Sequence, residues 1–82
     1  MFEAIKEHWE GLELEEQEEA LRLLSIALHP YSSNFTSRLL NLAFKADVGN
    51  TYRLFEVYPT EVAVVQAWKN GWVEPSRLKS YC

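Results

Sequence analysis

The sequence predicts an all-α domain, a compact bundle of four or five short helices. Three observations carry that prediction. Apolar residues recur at spacings of three and four along most of the 82-residue chain, the period of a helix with one buried face. Glycine and proline number only three each and fall mostly at the edges of those periodic segments. No second strand-like run stands ready to pair with the one β-branched stretch. The hydrophobic fraction of 48%, with eleven aromatic residues, excludes intrinsic disorder as a class. The absence of an 18-residue apolar run excludes a transmembrane helix.

The first helix follows from Phe2, Ile5, Trp9 and Leu12, one stripe at helical spacing. Glu3, Glu7 and Glu10 lie on the opposite face, and Gly11 is the stop. The second runs from about residue 13 to 28. Leu14, Leu21, Leu24 and Leu28 share a face, widened by Leu23 and Ile26, and Glu15, Glu16, Glu18 and Glu19 crowd the first turns, where the helix dipole favours negative charge. His29-Pro30 ends it, because a residue before proline is pushed out of the helical region. Residues 31–34 form a loop with candidate N-caps. The third helix, roughly 34–46, carries Phe35, Leu39, Leu42 and Ala46 on one line with Leu40 and Phe44 beside it. So wide an apolar face reads as the central helix of the core.

Residues 47–50 interrupt the pattern. Asp47 or Asn50 caps a short fourth helix bearing Tyr52, Leu54, Phe55 and Tyr58, which Pro59 closes. Thr60 then caps a fifth, with Val62, Val65, Trp68 and Trp72 on one side. The alternative for residues 62–73 is a hairpin, since Val62–Val65 is largely β-branched and Asn70-Gly71 is a strong hairpin signal. Helix is the preferred reading, because Asn-Gly also ends helices and an isolated hairpin is marginal. Residues 1–74 form a single domain on this reading, and 75–82 a mildly basic C-terminal tail.

The net charge of −4 conceals a split. Residues 1–19 hold eight acids and one base, a balance of −7; residues 20–82 balance at +3. Such asymmetry steers association. It marks Glu13, Glu15, Glu16 and Glu19 as candidate partner-binding residues, against the plainer alternative of a solvated face. The other candidates are aromatic and basic. Trp68 and Trp72, four apart and followed by Val73, suit an interface. Arg53 and Arg38 suit a small-molecule pocket formed between protomers.

Enzymatic constellations are absent from the pattern. Cys82 is the final residue, and nothing in the spacing fixes His8 or His29 beside it as a base. The same three residues lack the short paired spacing of a zinc site, and no glycine-rich phosphate loop exists. The carboxylates read as exposed, without a signal for one buried and raised. No cofactor is expected. For nucleic acid, the best recognition helix would be 34–46 with Asn34, Ser37, Arg38, Asn41 and Lys45, yet the pI near 5.1 opposes phosphate binding.

One stretch carries a family resemblance: Lys45-Ala46-Asp47, Asn50, Arg53-Leu54 and Tyr58-Pro59, followed by Glu61-Val62 and Trp68. Over about 25 residues this resembles the K-A-D-x-x-N-x-x-R-L-x-x-x-[F/Y]-P segment of small helical proteins, largely uncharacterised, of bacteria, phages and mobile elements. Where that pattern often has a proline after the aspartate, this chain has Val48-Gly49. The resemblance implies a small helical accessory protein acting stoichiometrically on a host or phage protein. The expectation is thus a cytoplasmic, non-enzymatic acidic protein that binds another protein as adaptor or inhibitor, with self-association a further expectation. The alternatives are a small-molecule or nucleotide sponge and, behind it, a DNA-binding regulator.

Overall fold

A computed structural model describes residues 2–28, 34–74 and 76–77. Among them are five α-helices and no strand: α1 (Glu3–Gly11), α2 (Leu14–Ala27), α3 (Phe35–Lys45), α4 (Val48–Val57) and α5 (Pro59–Lys69). The all-α bundle is therefore the fold, and the hairpin alternative for 62–73 is excluded. No described helix is long and apolar enough to cross a membrane.

The core is built around α5, not α3. Every residue from Val62 to Ala67 is buried, and α5 packs against all four other helices. A helix apolar on one stripe can face one neighbour, whereas one apolar all round must be enclosed. Small Val and Ala side chains let four helices approach. Tertiary burial thereby overrides the weak helix propensity of valine. Pro59 opens this helix at its first position rather than closing α4, which suits a residue with no N–H to donate and a preset φ. Thr60 is accordingly not the cap; Tyr58 occupies that position without a side-chain cap bond.

Asn70-Gly71 ends α5 as a helix C-terminus. Gly71 has φ +73°, Trp72 N–H donates to Ala67 O at 2.8 Å and Gly71 N–H to Trp68 O at 3.4 Å. This is the Schellman pairing, and it requires the left-handed conformation that glycine adopts without strain. The Asn70 side chain adds bonds to Gln66 O and to Gln66 Oε1, both at 2.9 Å, which satisfies the oxygen of that buried amide.

Two apolar lines are rotated from their sequence expectation. On α2 the buried face is Ala20, Leu21, Leu24 and Ala27, while Leu14 is 67% and Leu28 43% exposed. Leu14 and Leu28 stand at the two ends of the element, and burial is confined to the middle and C-terminal half of α2. On α3 the buried face is Ser37, Leu39, Leu40 and Ala43; Phe35 and Leu42 are 67% and 57% exposed. The first helix matches its expectation, with Ile5 and Trp9 buried and Phe2 and Leu12 packed against the core.

The caps follow from local chemistry. The Asn34 and Asp47 side chains accept from the backbone N–H of Ser37 and Asn50, each at 2.8 Å, at the starts of α3 and α4. Three helix C-termini are served by side chains of neighbours. Gln17 donates to Trp9 O at 2.8 Å, Asn41 to Ala27 O at 3.0 Å, and Lys69 to Phe44 O at 2.9 Å. Each bond adds a donor to a carbonyl in the last turn of a helix, and Trp9 O also accepts from the Leu12 N–H at 3.2 Å. Arg77, assigned to the tail, lies against α2, donating to Gln17 Oε1 at 3.2 Å and facing Glu18 at 3.6 Å. His29 and Cys82 lie outside the described residues, as does most of segment 75–82.

Candidate protein-binding cleft

Where α2, α3 and α5 converge, they leave a cleft of about 390 Å³. Its floor is apolar: Ala20 and Leu23 from α2, Leu40 from α3 and Val64 from α5. Its rim is acidic: Glu15, Glu16 and Glu19 from α2 and Glu61 from α5, with Thr36 and Thr60 completing the wall. The helical period explains the arrangement. Residues 16, 19, 20 and 23 fall on one side of α2, so the edge of its buried stripe passes directly into its charged face.

The four rim acids differ in their freedom. Glu16 and Glu13 form a capping box, in which Glu16 Oε1 accepts from Glu13 N–H at 3.2 Å and the Glu13 carboxylate accepts from the Glu16 backbone. Glu19 receives Arg22, whose Nε donates to Oε2 at 3.0 Å. That hydrogen bonding from Arg22 holds the Glu19 carboxyl below its ordinary pKa, outweighing the opposing effect of desolvation, and the guanidinium charge adds to the lowering. Glu15 and Glu61 pair with no cation among the described residues, so their charge is directed to whatever enters.

Of the acids singled out from sequence, the cleft thus gathers Glu15, Glu16 and Glu19. Glu13 does not line it and serves the cap. Glu61 was missed, because an acid four residues before a valine in a continuous apolar run carries no signal of the cleft that tertiary packing creates. The tryptophans sit elsewhere, at the far end of α5. Both are half-buried against the core, and with Phe44, Lys69, Gly71, Val73 and Glu74 they line a second hollow. The cation of this hollow, Lys69, is already engaged with Phe44 O, and outside the hollow Lys6 lies 6.0 Å from the centroid of the Trp72 ring. Arg38 and Arg53 are exposed, on α3 and α4, and line neither hollow.

Other chemistries find less support. His8 bonds Thr60 Oγ1 at 3.2 Å and meets the Phe55 ring edge-on, which occupies it structurally. Among the described residues no three His, Cys, Asp or Glu side chains gather as a metal ion would need. Of the would-be recognition residues of α3, Asn34 is the helix cap, Ser37 is buried, and Asn41 commits both amide hydrogens, to Ala27 O and Ser37 O, each at 3.0 Å. Comparison of the chain with protein-family models, curated proteins and solved structures returns no match.

Proposed function

We propose that this protein works without turnover, as an adaptor or inhibitor, by holding a basic, apolar-anchored segment of another protein in the α2–α3–α5 cleft. The observation that carries the reading is the cleft's composition, an apolar floor of Ala20, Leu23, Leu40 and Val64 under the carboxylates of Glu15, Glu16, Glu19 and Glu61. Such a site accepts a Leu, Met or Lys stem and rewards positive charge beside it. A cytoplasmic setting and a phage or mobile-element context belong to the same reading, supported by the resemblance of residues 45–68.

The test is fluorescence anisotropy with two labelled peptides, one with leucine flanked by arginines and one with the same leucine flanked by glutamates. The basic peptide is expected to bind and the acidic one not. The double change Glu15→Lys and Glu61→Lys should weaken binding at least tenfold, and the affinity should fall as salt rises. A second reading, a small organic cation, is favoured by the cleft's volume, which lies within the range of ligand pockets. A thermal-shift screen separates the two. The same rim disfavours a nucleotide, whose phosphates would face four carboxylates.

A further inference from the structure

We propose that the face shared by α3 and α4 is a second docking site, shaped for an acidic amphipathic helix of a protein partner. The observation behind it is the rotated apolar line of α3, together with an exposed valine on α4. Phe35 and Leu42, which the helical period assigns to the core, are 67% and 57% exposed, and Val57 on α4 is 66% exposed. Phe35 and Leu42 mark the two ends of the place where α3 and α4 adjoin. The Phe35 ring lies 6.2 Å from the Tyr58 ring at one end of the α3–α4 pair. At the other end Leu42, Lys45, Ala46 and Leu54 line a groove of about 450 Å³, with Asp47 and Asn50 at its margin.

At helical spacings of three and four the charged neighbours of these apolar residues on their own helices are cations, while Asp47 lines the groove and Glu56 adjoins Val57. Arg38 stands three residues after Phe35 and four before Leu42, Lys45 three after Leu42, and Arg53 four before Val57. At those spacings side chains are neighbours on the helix surface. All three cations are exposed, and none pairs with a carboxylate among the described residues. The acid of the groove, Asp47, has a carboxylate oxygen held by the Asn50 N–H as the cap of α4. An exposed apolar line bordered by unpaired cations is complementary to a helix with an apolar stripe and an acidic edge. A polyanion such as DNA would meet the cations but gain nothing from Phe35, Leu42 and Val57. A second copy pairing this face with itself would bring the cations of both copies into one interface.

The experiment uses the whole chain and three labelled probes: an acidic amphipathic helical peptide, its lysine counterpart, and a DNA duplex. The acidic peptide is expected to bind saturably. Arg38→Glu with Lys45→Glu should weaken it at least tenfold, and Leu42→Asp should abolish it while circular dichroism and melting remain those of the parent. The Arg38→Glu, Lys45→Glu variant should not weaken binding of the basic peptide to the acidic cleft, so failure of one site is distinguishable from failure of the other. Absence of acidic-peptide binding, equal binding of the lysine peptide, or preference for DNA overturns the proposal. So does sedimentation in which the parent is a dimer and Leu42→Asp a monomer, because the occupant would then be a second copy.

Discussion

At the scale of single residues, what the sequence displays most directly is capping. Asn34 and Asp47 could be identified as caps because an Asn or Asp side chain bonds the third backbone N–H after it, whatever the rest of the chain does. Asp47→Ala should therefore cost about 1 kcal/mol of stability, read as a lowered midpoint in urea with an unchanged slope. The Glu13–Glu16 box carried the same kind of signal, an acid at N-cap and another at N3. It was hidden among so many glutamates that charge, not spacing, dominated its reading. Glu19 offers a test of the rim's electrostatics. Its pKa is lower in the folded chain, so its contribution to stability is present above the ordinary carboxylate range and lost as pH falls through the lowered value. A carboxyl-detected NMR titration should find Glu19 ionising below the ordinary glutamate value, and Arg22→Ala should return it to that value.

At the scale of elements, the helices were legible and their facing was only partly so. A period of 3.6 tells which residues share a line, not which of two adjacent lines the neighbours cover. Position along an element matters as well: Leu14 and Leu24 belong to the same apolar face of α2, yet the one at the helix end is 67% exposed and the other fully buried. Leu24→Ala should cost about 2–5 kcal/mol, whereas Leu14→Ala should change stability by less than about 0.5 kcal/mol. Chemical denaturation of the two variants checks the pair; equal losses would mean that the facing of α2 is wrong. The same ambiguity concealed the centre of the core. A stripe made α3 look central, but the continuous small-residue run of α5 was the stronger sign of enclosure, because every side of that helix had to be buried.

At the scale of the whole molecule, the chain measures 29 × 25 × 18 Å, and its thinnest dimension is about two helix diameters. So thin a body supplies a core and leaves the two proposed binding sites, the cleft and the α3–α4 face, at the surface. The acidic half of this picture was legible in the charge split. Its concavity was not, since the floor is assembled from three helices far apart in sequence and Glu61 joins the rim only through folding. The basic half was diluted in sequence, because Arg38, Lys45 and Arg53 are dispersed among neutral residues, and the groove that Lys45 borders is assembled from α3 and α4 together. The central claim is that the acidic cleft holds a basic segment with an apolar anchor. Its most direct measurement is the dissociation constant of the arginine-flanked leucine peptide for the parent chain and for the Glu15→Lys, Glu61→Lys variant, at low and high salt. The account predicts saturable binding by the parent that weakens with salt, and at least a tenfold loss in the variant. Undiminished binding in the folded variant, or no binding to the parent at low salt, would contradict it.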